Sequence, residues 1–121
     1  MSPKAPEEDT MENDIARHVM DAAYRIHTAL GPGLLESAYE SVLAHELTER
    51  GLRFGRQVLI PIVYHGVVIE QGYRADFVVE DKVILEIESC DGVAAIHKKQ
   101  LLPYLKLSNR RLGLLITSTK C

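Results

Sequence analysis

An α/β chain built on a mixed sheet is what the order of hydrophobic patterns predicts, and three observations carry it. Apolar residues recur at helical steps of three and four between residues 10 and 51. From residue 57 the pattern changes to short β-branched runs separated by turn residues. A further helical stretch precedes one last apolar run, and a strand reached through a helix lies parallel to a strand already in the sheet. The predicted order is ααβββ(β)αβ, an α+β arrangement with helices packed on the sheet.

Residues 1–9 hold two prolines and almost no bulky apolar side chains, which predicts a disordered acidic tail ahead of a single domain over 10–121. Thr10 is a plausible N-cap, and Met11, Ile15, Val19, Ala22, Ile26 and Leu30 form the apolar stripe of a first helix. Gly31-Pro32-Gly33 stops it. A second helix is expected from about Leu34, burying Leu35, Tyr39, Val42, Leu43 and Leu47, with Gly51 as its C-terminal cap. Gln57–Tyr64 and Val67–Gln71 read as a hairpin turning at His65-Gly66, and Pro61 implies an edge strand or a bulge in the first arm. Arg74–Glu80 and Val83–Ser89 read as a second hairpin. Asp91-Gly92 leads into a third helix, Val93–Leu107, which Pro103 should kink or shorten. Leu112–Thr117 is the last strand.

At 121 residues, 46% of them hydrophobic, the chain is long enough to bury a core. No apolar run approaches the length of a membrane span and the N-terminus lacks a signal peptide's apolar stretch, so no membrane partner is expected and a cytoplasmic location is the default. Cys90 and Cys121 have no pairing pattern or zinc-ligand spacing, which favours reduced thiols. The net charge of −3 is uneven. Residues 1–14 hold five acids against Lys4, a net of −4, so residues 15–121 sum to +1. Nucleic-acid binding would therefore depend on a local patch and not on a global field.

The sharpest chemical signal is acidic. Acids are depleted in strands, yet Asp76, Glu86 and Glu88 interrupt the apolar runs of the second hairpin. With a three-residue loop at Glu80-Asp81-Lys82, Val79 faces Val83 and Asp76 faces Glu86, about 5 Å apart at Cβ, where like charges repel unless something binds them. Hard divalent cations take such oxygens. A two-residue loop would instead pair Phe77 with Glu86 and send the carboxylates to opposite faces. Glu88 shares a strand face with Glu86 and in the first register faces Arg74, so a solvated face with one cross-strand ion pair is the plainer reading.

Glu36 has two readings as well: a carboxylate favoured at a helix N-terminus, or a further acid aimed at the sheet. On the third helix His97, Gln100 and Tyr104 fall on one stripe, among Lys98, Lys99, Lys106, Arg110 and Arg111. Such a stripe is either a wet face or a surface for phosphates. No nucleophile motif and no phosphate-cradling glycine loop is present.

Several separated blocks also resemble a known family. Gly33-Leu-Leu-Glu36-Ser-Ala-Tyr39 is similar to the signature of the GxxExxY proteins, and the resemblance extends from about Ile15 to Thr117. It takes in Leu30–Gly33, Tyr73-Arg-Ala-Asp76, the Glu86 strand and His97–Lys106. That family is placed among the PD-(D/E)XK nuclease-like proteins. The resemblance implies a restriction-endonuclease-like αβββαβ core, with a mixed sheet flanked by helices and an extra N-terminal helix. It also implies Mg²⁺ or Mn²⁺ held by Asp76 and Glu86, with Glu36 as an extra acid and Gln100 with Tyr104 as the polar motif of the next helix. Glu88 stands where the family usually has Lys, and could serve as a base or as another metal ligand.

Three functions follow from these readings. The first is a metal-dependent hydrolase of phosphodiesters with Asp76, Glu86, Glu88, Glu36 and Gln100 in its site, the nucleic-acid backbone resting on Lys98, Lys99, Tyr104 and Lys106. The second is a non-catalytic nuclease-fold module that binds nucleic acid or protein. The third is a homodimer whose main role is association.

Overall fold

The computed structural model describes residues 7–31, 33–88 and 112–117. Two helices, α1 (Glu7–Leu30) and α2 (Glu36–Glu49), precede four strands: β1 (Phe54–Tyr64), β2 (Val67–Val79), β3 (Val83–Glu88) and β4 (Leu112–Thr117). The strands form one sheet in the order β1-β2-β3-β4. The first two pairings are antiparallel and the last is parallel, so the sheet is mixed, as expected. The third helix expected at Val93–Leu107 lies outside the described residues.

The helices lie where their apolar stripes place them. Ile15, Val19, Ala22 and Ile26 of α1 and Tyr39, Leu43 and Leu47 of α2 close over Phe77, Val79, Val83, Leu85 and Ile87 of the sheet. Both helices end on left-handed residues. At Gly51, φ is +74°, its N–H donates to the Thr48 carbonyl at 3.0 Å, and the Leu52 N–H donates to that of Leu47 at 3.1 Å. That pair of bonds is a Schellman cap, the termination expected at this glycine.

Several boundaries differ from the sequence reading. α1 begins at Glu7, three residues before Thr10. Met11 and Leu30, at the ends of the predicted stripe, are exposed, and Leu35 is 76% exposed because it precedes α2 as the N-cap residue. The two expected strands Val67–Gln71 and Arg74–Glu80 are one continuous β2. Gly72 does not turn the chain. A Cβ there would stand 2.7 Å from the Ile60 carbonyl oxygen, so this glycine permits close approach of β1. The register shifts between Ile60 and Ile62, so Pro61 sits at a bulge in an edge strand of the described sheet.

A second irregularity lies between β1 and β2. Arg56 pairs with Phe77 and Val58 with Ala75, while Gln57, opposite Asp76, has a φ of +51° and drops out of the ladder. On either side the strands change allegiance. Phe54 and Phe77 pack with the helices, whereas Val58, Ile60 and Ala75 belong to a second cluster with Val78 and Ile84. Ala75 and Phe77 would share one face of a regular strand, so the break between them re-aims Asp76.

Candidate active site

Asp76 and Glu86 meet where β2 and β3 part. The three-residue loop is the one formed: Val79 pairs with Val83, Val78 with Ile84 and Phe77 with Leu85. Glu80 and Asp81 both take positive φ, and the Lys82 N–H donates to the Val79 carbonyl at 3.0 Å. Here the ladder stops, one position short of the Asp76–Glu86 pair. The two carboxylates occupy the gap and take over the backbone donors. Ile87 N–H donates to Asp76 Oδ2 at 2.7 Å, and Asp76 N–H donates to Glu86 Oε1 at 3.3 Å. The Arg74–Glu88 apposition is not part of the ladder, and Arg74 pairs instead with Leu59 on β1.

Among the described residues, the charges that shift this pair are those of other acids. Burial is the main reason the Asp76 carboxyl lies above its usual range. The hydrogen bonds from Ile87 and Gln57 oppose that shift, and the charges of Glu40 and Glu36 add to it. Glu86 is pushed up further, to about 7. Burial again leads, the Tyr73 hydroxyl opposes it by donating to Glu86 Oε1, and the charges of Asp76 and Glu88 raise it. The raised values come first from burial and then from neighbouring acids, a pattern concentrated at functional sites.

Three participants carried no role in the sequence reading. Glu40 lies one helical turn beyond Glu36, with only 15% of its side chain exposed, and accepts from Arg56 Nε at 3.2 Å. The Gln57 amide bridges the helix and the sheet, donating to Glu40 at 3.3 Å and to Asp76 Oδ1 at 3.2 Å. Tyr73 supplies the phenol against Glu86. The spacing of Glu36 and Glu40 was a usable signal, since residues four apart share a helix face. Gln57 left none, because its role comes from the break in β1.

Of the expected residues, Asp76, Glu86, Glu88 and Glu36 gather into one electrostatic neighbourhood. Tyr39 of the motif is a core residue, with its ring centroid 5.4 Å from that of His27. Gln100, Lys98, Lys99, Tyr104 and Lys106 lie outside the described residues.

The donor set bears on a divalent cation in two ways. Among the described residues no three His, Cys, Asp or Glu side chains stand grouped as a metal site. Mg²⁺, however, binds through one or two carboxylates and keeps several waters, and an adjacent Asp–Glu pair with further acids near it suits that demand.

A sequence profile of the PD-(D/E)XK nuclease superfamily matches residues 13–120, nearly the whole chain. The chain belongs to the PD-(D/E)XK nuclease superfamily. Its α+β architecture with an added N-terminal helix is accordingly a restriction-endonuclease-like fold. No curated protein and no solved structure matches the chain significantly. Among the described residues no helix is long and apolar enough to cross a membrane.

Proposed function

We propose that this superfamily member is a metal-dependent nuclease that hydrolyses phosphodiesters of nucleic acid, and that within the superfamily it is a GxxExxY-type protein. The observation that carries the reading is the apposition of Asp76 and Glu86 at the fork of β2 and β3, both with raised pKa. Asp76 and Glu86 would hold Mg²⁺ or Mn²⁺, with Glu36 and Glu88 as additional acids near them. When bound, such an ion supplies charge stabilisation at a phosphoryl oxygen and a more acidic water.

The chain's own groups have definable tasks. Ile87 N–H and the Gln57 amide orient the Asp76 carboxylate. The Tyr73 hydroxyl orients Glu86, and a carboxyl titrating near neutrality can hold or release a proton at working pH. Glu88, in the place of the superfamily's usual lysine, is the candidate acceptor for a proton from water. Lys98, Lys99, Tyr104 and Lys106 are proposed to meet the nucleic-acid backbone, with Gln100 beside the acids.

A second reading, a non-catalytic nuclease-fold module, is favoured by one observation. Asp76 and Glu86 already accept hydrogen bonds from protein donors. Calorimetric titration with Mg²⁺ and Mn²⁺ separates the two. The nuclease reading expects binding in the wild type, loss of binding in Asp76→Ala, and cation-dependent cleavage abolished in Glu86→Ala. Absence of binding at millimolar cation would remove it in favour of the module.

A further inference from the structure

We propose that the outer half of the β1–β2 hairpin is a self-association surface, through which two copies of this chain join. The hairpin continues well past the body of the sheet. Among the described residues β2 pairs with β3 only from Phe77 onward, while its pairing with β1 reaches back to Val67, roughly 33 Å along the strand at ~3.3 Å per residue. A two-stranded ribbon with nothing packed on it is marginal in water.

This ribbon is apolar where it should be wet. Among the described residues, six of the eleven exposed large hydrophobics fall within it: Leu59, Val63, Tyr64, Val67, Val68 and Ile69, each 42–61% exposed. Clustering of this kind marks an interaction surface in a way that scattered exposed residues do not. The pairings Tyr64–Val67 and Ile62–Ile69 put four apolar side chains on one face, and Val63–Val68 puts two on the other. Taken over both faces, the exposed parts of the six amount to roughly 600 Å², against the ~800 Å² per partner that a standard interface buries.

Two observations favour a second copy as the occupant. Residues 57–73 contain Glu70 but no lysine or arginine, so the ribbon does not suit the phosphate backbone of nucleic acid. The same near-neutrality lets two ribbons meet with little like-charge repulsion. The two ribbon edges also differ. Pro61 and its bulge guard β1, whereas β2 from Val67 to Ile69 has neither proline nor charge and, among the described residues, an open edge for an antiparallel, two-fold pairing.

Sedimentation velocity of the full chain over a wide concentration range, in EDTA, tests this independently of the carboxylates. The expected result is a concentration-dependent dimer, with Val67→Lys/Ile69→Lys weakening association by about 100-fold at unchanged helicity. Should that double variant fail to fold, Tyr64→Arg beside the turn reads the same surface. A wild type that stays monomeric overturns the proposal, as does a dimer indifferent to these substitutions. Ribbon amides protected from hydrogen exchange in a monomer would also overturn it, and would assign the surface to another part of this chain.

Discussion

Replacing Glu86 with glutamine should make the metal-free protein more stable, and only at neutral and alkaline pH. Glu86 is raised from 4.5 to about 7, chiefly by burial. Below about pH 4.5 the carboxyl is protonated in both folded and unfolded chains, and nothing is lost. Between about 4.5 and 7 the unfolded chain ionises first, so stability falls as pH rises, and above about 7 the full penalty is present. Each pKa unit is worth about 1.4 kcal/mol, and since the carboxyl keeps part of its contact with water, the penalty is discounted to about 1–2 kcal/mol. Glutamine keeps an oxygen for the Tyr73 hydroxyl and the Asp76 N–H but carries no charge. In EDTA, Glu86→Gln should therefore melt roughly 3–10 °C above wild type at pH 8 and level with it at pH 4. Thermal denaturation followed by circular dichroism at the two pH values is the assay. Equal destabilisation at both would refute the reasoning, because it would mean that the carboxyl contributes by hydrogen bonding and that its charge costs nothing.

Other expectations are equally direct. Gln57→Gly should be more stable than Gln57→Ala by about 1 kcal/mol in urea denaturation, since φ is +51° and only glycine takes it without strain. The reverse order would show that the β1 break relaxes in the variant. The Tyr39 hydroxyl is buried without a hydrogen-bond partner among the described residues, and burial pushes its pKa up to about 12. Tyr39→Phe should then leave stability unchanged or raise it by up to about 1 kcal/mol, and a loss of that size would reveal a hidden partner. Gly51→Ala should cost about 1 kcal/mol at the left-handed cap of α2, read from the shift in denaturation midpoint.

Much of the fold was legible because periodicity carries it. Ile15, Val19, Ala22 and Ile26, then Tyr39, Leu43 and Leu47, recur at helical steps, and all of them are buried. Pro61 announced its bulge, and the three-residue loop set the register that draws Asp76 to Glu86. What stayed hidden depends on tertiary contacts. Gly72 resembles a turn residue until the Ile60 carbonyl is seen against it. Leu30 and Leu35 fit a helical stripe but fall at helix ends, beyond the reach of the sheet. Gln57 and Glu40 enter the candidate site only because β1 breaks beside α2, and a polar residue with positive φ has no signature in a single sequence.

The break at Gln57 and Asp76 should also let the two parts of the hairpin open separately. On one side the strands are locked to the helical core, so their amides should open only with global unfolding. On the other they depend on the small cluster around Ile60 and Ala75, so that portion can fray while the rest stays folded. Asp76 stands on the boundary. Any ligand that grips it ties the protecting network of one part to the other, so occupancy at the carboxylates should be readable as slowed hydrogen exchange far out along the strands.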